Sequence, residues 1–275
     1  MPPAEPTRSL CRAVALGLIQ GPSELLPISS SAHTRLIPWL AGWEPQAETR
    51  DSSFELALHG GACCALTLQM APELRRELGP WGPRKLAGTA LALAPPALAG
   101  LALRGFIERR LSGPRACATG LLAGGVAMAL ADARAPADGR SAAQAGPADG
   151  LAIGLAQALA LAPGVSRNGA TLTAARARGF SRPAAQRLSW AAGLPVMAAA
   201  ALFDAGSATG RRSAGAEGGR GGARAGGAAA FCSTLLSARA RSGVIARGAL
   251  WPYSLYRCLL AGLVLARAGR DAHNR

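Results

Sequence analysis

Glu24 stands in an apolar stretch, Gln20-Gly21-Pro22-Ser23-Glu24-Leu25-Leu26-Pro27-Ile28-Ser29-Ser30-Ser31-Ala32-His33, that gathers a carboxylate, a run of hydroxyls and an imidazole. An ionised carboxylate is costly in such surroundings and is a functional candidate by default. The alternative is a Glu at a membrane interface, facing water. Gln20 and Glu24 are four apart, so a helix puts them on one face. Pro27 ends or kinks that helix. Ser29 and Ser31 are candidate caps for whatever follows, and three consecutive serines leave at least one for a ligand. His33 has the chemistry of a general acid or base, or is a satisfied polar residue near a helix start.

A second constellation, Pro163-Gly164-Val165-Ser166-Arg167-Asn168-Gly169-Ala170-Thr171, has the makings of an anion clamp. Gly164 and Gly169 permit a tight turn and close approach of backbone to ligand. Amides of such a loop at a helix start bind anions. Arg167 adds a planar fork of donors suited to two phosphate oxygens. Ser166, Asn168 and Thr171 supply neutral hydrogen bonds. A polar turn with Arg167 snorkelling outward is the plainer reading, but the apolar run directly upstream favours the clamp.

The two stretches echo each other. Gly17-Leu18-Ile19-Gln20 and Gly154-Leu155-Ala156-Gln157 each lead to a Pro and then to hydroxyls. Apolar segments broken at matching places point to a buried site between two repeats of a membrane protein. One copy brings acid, base and nucleophile, the other an anion clamp, which together describe a phosphate-handling site. Glu55 and His59, also four apart, read equally well as support for it or as a helix-start acid with a neighbour. No Gly-rich loop ends in Gly-Lys-Ser/Thr, so nucleotide use has no support.

The elements that must position these residues read as helices in lipid. Half of the 275 residues are hydrophobic and 16% are charged. Uncharged runs recur at 13–23, 56–72, 86–103, 116–131, 150–166, 188–203 and 225–238, then at 248–256 and 258–266 on either side of Arg257. None reaches the ~20 residues of a full span without a charge, yet a soluble helix would turn polar every third or fourth position. The expectation is a polytopic all-α membrane protein. The runs at 13–23 and 150–166 end in Pro and hydroxyls, which fits re-entrant helix–loop–helix elements, because irregular backbone at membrane depth needs protein or a cavity around it. The halves are 1–131 and 150–275, joined by a linker at 132–149. The Gly- and Arg-rich segment 205–230 reads as a flexible surface loop.

The net charge of +15 invites a nucleic-acid reading, but the arginines fall between apolar runs and not along one basic face. Nucleic acid is therefore not an expected partner. The six cysteines lack metal-ligand spacing and read as small buried hydrophobes. The first residues show no removable signal peptide. Trp251, Tyr253 and Tyr256 read as interfacial aromatics.

At the two motifs the chain resembles the bacterial undecaprenyl-pyrophosphate phosphatase family of the bacitracin-resistance type. The match runs through 17–33 and 158–171 and continues at 179–196, with weaker support at 54–61 and 253–262. The resemblance implies an integral protein of the cytoplasmic membrane built of interlocked inverted repeats, with its active site facing the outer side. It implies removal of the terminal phosphate of undecaprenyl pyrophosphate, which recycles the lipid carrier for cell-wall synthesis, and dependence on a divalent cation. The family's acidic motif falls on Gln20 and Glu24, its serines on Ser29 and Ser30, its histidine on His33 and its phosphate-binding arginine on Arg167. Ala32 stands where Gly is usual, Asn168 where Ser is common, Pro22 where a larger apolar residue is typical and His59 where Gln is often found.

The mechanism expected from these residues is metal-assisted phosphoryl transfer to water. Arg167 and the loop amides of 164–169 hold the pyrophosphate, with Ser29, Ser31, Gly164, Ser166, Asn168, Gly169 and Thr171 around it. Gln20 and Glu24 orient Mg²⁺, or Ca²⁺, through oxygen ligands. Ser30 is the candidate nucleophile with His33 as its proton partner, and attack by a water activated by Glu24 or His33 fits equally well. The partners are the polyprenyl pyrophosphate and membrane lipid, and a homodimer is compatible with the sequence. Broken helices in repeats also build transporters, so a polyprenyl-phosphate carrier or flippase is the rival reading, and a non-catalytic scaffold the third.

Overall fold

A computed structural model of the chain describes residues 5–43, 52–78, 82–210, 217–240 and 248–273. Ten α-helices lie among them: α1 Glu5–Leu25, α2 Ser30–Leu40, α3 Ser52–Leu78, α4 Pro83–Arg110, α5 Pro114–Arg134, α6 Pro147–Leu159, α7 Arg167–Ala177, α8 Arg182–Gly210, α9 Glu217–Ala240 and α10 Trp251–His273. A single backbone bridge between Arg140 and Phe180 is the one β feature among the described residues. The expected all-α class holds.

Two of these helices are long and apolar enough to cross a membrane: 83–107 within α4 and α5, with mean hydropathies of 1.7 and 1.5. Their outward residues are large and apolar, with Leu98, Leu101, Phe106, Val126 and Leu130 all exposed. A face of that kind suits lipid, where leucine gains nothing by hiding.

α1 packs against α9, and α9 against α3; α4 packs against α6, and α5 against α10. The close crossings are made by glycine. A Cβ on Gly17 would run into the Gly226 carbonyl, one on Gly61 into the Gly227 carbonyl, and one on Gly150 into the Gly88 carbonyl. Small residues at such crossings let backbones meet, which is how helices associate when apolar side chains gain nothing from each other. This corrects the reading of 205–230 as a flexible loop. Residues 205–210 close α8 and 217–230 are the first half of α9, while 211–216 fall outside the described residues. A composition that signals a linker in water signals tight packing here.

The connector 135–146 is ordered. Arg140 grips both carboxylate oxygens of Asp149 at 3.0 and 2.8 Å, and Arg178 binds the same carboxylate at 2.8 Å. Nearby, Asp132 at the end of α5 accepts from Arg176, Arg182 and the Leu250 amide, tying α5, α7, α8 and the start of α10. The cysteine expectation holds in part: Cys63 and Cys117 are buried, but Cys11, Cys64 and Cys232 are exposed.

Candidate active site

Two breaks between helices build the site. α1 ends at Leu25 and α2 starts at Ser30; α6 ends at Leu159 and α7 starts at Arg167. In each break the last residue before the new helix is a serine with positive φ, Ser29 at 75° and Ser166 at 69°, the two non-glycine residues in that region among those described. Such a conformation costs ~1–3 kcal/mol and persists only where the surroundings over-determine it. Each serine caps its helix: Ser29 Oγ accepts from the Ala32 amide and Ser166 Oγ from the Gly169 amide at 3.1 Å. Ser31, the other expected cap, lies inside α2 with its hydroxyl 3.3 Å from that of Ser29.

The first residue after each cap turns to Glu24. Ser30 Oγ donates to Glu24 Oε2 at 2.5 Å, and Arg167 Nη2 donates to Glu24 Oε1 at 3.0 Å across 143 positions of sequence. Gln20, one turn earlier on α1, donates to Glu24 Oε2 at 3.3 Å and lies 3.1 Å from His59 Nδ1. His59 is 3.6 Å from the same carboxylate oxygen. His59 thus belongs to this cluster. Its neighbour Glu55 instead takes a two-pronged pair from Arg35, at 3.0 and 3.1 Å.

Arg167 is mostly buried, yet its Nε and Nη1 have no hydrogen-bond partner. Its guanidinium carbon lies 5.2 Å from the centroid of the Trp190 ring, and Gly193 leaves the space in which Nη1 sits. Two unpaired donors on a buried cation, beside a carboxylate that holds a serine hydroxyl, are what an oxyanion needs. Gln20 Oε1 is likewise buried and unpartnered. Among the described residues no group of three or more His, Cys, Asp and Glu gathers. A cation here would thus have Gln20 Oε1 and Glu24 as protein ligands, and this hard-oxygen pair fits Mg²⁺, which keeps several waters and takes phosphate oxygens.

Other expected site residues have been placed elsewhere. His33 does not meet Ser30. Its Nδ1 faces the Ser29 carbonyl at 2.7 Å and its Nε2 the Tyr256 hydroxyl at 2.6 Å, with the two rings stacked. A carbonyl only accepts, so Nδ1 carries a proton, and a neutral ring then receives the Tyr256 proton at Nε2. Tyr256, read as an interfacial aromatic, turns its hydroxyl inward. Asn168 donates to the Leu25 carbonyl at 2.9 Å and accepts from Ser189 at 2.8 Å, while Thr171 lies 2.6 Å from the Ser189 hydroxyl. These groups hold α7 against α1 and α8. Gly164, at φ 87°, packs on the Cys117 carbonyl, and the amides of Val165 and Gly169 are bonded within the loop.

Comparison with known proteins follows the same residues. The family model described as bacitracin resistance protein BacA matches residues 13–263, which include both breaks. The chain belongs to the BacA family. Among its relatives, one from Geobacter sulfurreducens named undecaprenyl-diphosphatase is 36% identical over 94% of this chain and 97% of its own. One of the same name from Marinobacter nauticus is 32% identical over 93% and 97%. A third, from Pelotomaculum thermopropionicum, is 38% identical over 70% and 74%. All three are named for a hydrolase. Family membership and the two apolar helices together mark this BacA family member as a membrane protein.

Sequence reasoning missed Trp190, Gly193, Tyr256 and Arg257. The last was detectable, since it is the one charge inside the apolar run 248–266, and the rule that singled out Glu24 applies to it as well.

Proposed function

We propose that this protein hydrolyses undecaprenyl pyrophosphate to undecaprenyl phosphate and inorganic phosphate. It thereby recycles the lipid carrier for peptidoglycan and other cell-wall polymers and confers bacitracin resistance. The observation that carries the reading is Glu24 held between the Ser30 hydroxyl and Arg167, with two Arg167 donors left for an anion.

In this mechanism Ser30 Oγ attacks the terminal phosphorus as its proton passes to Glu24 Oε2. The phosphoanhydride bond breaks and undecaprenyl phosphate leaves. Arg167 Nε and Nη1 hold equatorial oxygens as charge spreads over them. Undecaprenyl phosphate carries that proton away from Glu24. Water then attacks the phosphoserine phosphorus, its proton passing to Glu24 and from there to Ser30 Oγ as the P–O bond breaks, which restores the Ser30 hydroxyl and the ionised Glu24. The Ser30–Glu24 bond favours this route over His33 as the partner of Ser30. Gln20 Oε1 and Glu24 would hold the divalent cation, Mg²⁺ or Ca²⁺, and the cation would neutralise charge on the pyrophosphate.

The architecture that serves this function is two inverted repeats with re-entrant pairs α1–α2 and α6–α7, in the halves 1–131 and 150–275. Support comes from the packing: exchanging α1–α5 for α6–α10 turns the α1/α9 contact into the α6/α4 contact and leaves α5/α10 as it is. We place the protein in the cytoplasmic membrane as a multi-pass protein, with the site open to the outer side.

The test is inorganic phosphate released from undecaprenyl pyrophosphate by purified protein in detergent, with Mg²⁺, Ca²⁺ or EDTA. Release that needs the cation and is lost in Glu24→Ala and Arg167→Ala is expected. Well-folded protein that releases nothing with either cation overturns the reading.

A further inference from the structure

Arg257 on α10 is fully buried, and none of its hydrogen-bond partners is a carboxylate. Its Nη2 reaches the Val165 carbonyl at 2.7 Å, the Gly164 carbonyl at 3.1 Å and the Gly120 carbonyl at 3.4 Å. Its Nη1 reaches the Pro27 carbonyl at 3.3 Å. A buried cation without a counter-ion is expensive to keep. Space for it is made on two sides, because a Cβ on Gly124 or Gly169 would collide with its guanidinium nitrogens.

The position of these carbonyls gives the arginine its use. Pro27 precedes the Ser29 cap by two residues, and Gly164 and Val165 immediately precede the Ser166 cap. One rigid fork therefore spans both breaks, beside both serines with positive φ. Ser30 and Arg167 follow those serines directly. A planar guanidinium with donors at fixed angles can set the spacing of two loops, which a flexible ammonium cannot.

We propose that Arg257 is a positioning residue that staples the two breaks together, holding Ser30 and Arg167 in register on Glu24. The catalytic consequence rests on the phosphatase reading, but the staple itself does not. A misplacement of about 1 Å between reacting groups costs about 100-fold in rate.

The experiment uses the whole chain in detergent, with Arg257→Met and Arg257→Lys. In hydrogen–deuterium exchange, Arg257→Met should raise exchange about tenfold in 26–29 and 160–166 together and leave α4 and α9 unchanged. In steady-state kinetics its kcat should fall about 100-fold with KM within about threefold, and Arg257→Lys should recover part of kcat. Adding Ser29→Gly with Ser166→Gly to Arg257→Met should also recover rate, because glycine accepts the left-handed backbone without a staple. Exchange that is unchanged in the breaks, or raised in only one of them, overturns the proposal, and so does exchange raised throughout the molecule. Unaltered kcat in Arg257→Met overturns the catalytic part. If the parent releases no phosphate, the phosphatase reading fails and the exchange data still decide the staple.

Discussion

Ser30 and Arg167 occupy equivalent places in two different breaks and hold opposite oxygens of one carboxylate, Glu24. Each is the first residue of a helix capped by a serine with positive φ. The nucleophile candidate and the anion clamp are therefore set by the same local device used twice, and Glu24 on α1 is where the two meet.

Arg167→Ala removes the clamp and its two free donors. Loss of one such preorganised donor set costs about 3–4 kcal/mol, so kcat/KM should fall about 10²- to 10³-fold. Arg167→Lys should remain within about tenfold of the alanine variant, because an ammonium cannot offer a fork while also bonding Glu24. Phosphate-release kinetics on both variants check this.

Ser30→Ala separates the covalent route from direct attack by water. A drop of about 10³-fold in kcat, with no phosphorylated protein trapped by acid quench, is expected if Ser30 is the nucleophile. Substantial turnover in Ser30→Ala would transfer the attack to a water held by Glu24.

Gly193→Ala reaches the clamp without removing a polar group. The new methyl would run into Arg167 Nη1, and the guanidinium would have to leave its seat over Trp190. A fall of about tenfold or more in kcat/KM is expected, with thermal unfolding in detergent shifted by only a few degrees.

Tyr256→Phe keeps the ring stacked on His33 and removes the hydroxyl that donates to Nε2. One lost hydrogen bond of about 1 kcal/mol corresponds to about a fivefold fall in kcat, since His33 stands off from Ser30. If Tyr256→Phe were as inactive as Glu24→Ala, His33 would have to act directly on the substrate, and the pH profile of kcat would show it.

Much of the site was legible in one dimension. Polar groups in an apolar run stand out because lipid penalises each of them, so Gln20, Glu24, Ser30 and Arg167 could be picked out without coordinates. The same penalty applies at Arg257, the one charge between the apolar runs 248–256 and 258–266. Glycine misled in the other direction. Gly221, Gly222, Gly226 and Gly227 suggested a loose chain, whereas two of them, Gly226 and Gly227, form the surface on which α1 and α3 rest.

Most of the helices, the two breaks and the chemistry on offer beside them are encoded locally in the amino-acid sequence, whereas the helix over 217–230 and the cap at Ser166 are not. The encoded features follow from neighbours: proline and glycine end helices, hydroxyls cap them, and apolar runs seek lipid. Only the tertiary structure decided who meets whom. It gave Ser30 to Glu24 and not to His33, turned Asn168 and Thr171 to the packing of α7, brought Tyr256 to His33 across 223 positions, and set Arg257 over both breaks. Apart from Ser30 and Glu24, which meet across a single break, those partners come from distant segments, and their distances depend on how closely glycine lets the helices approach, which no local pattern encodes.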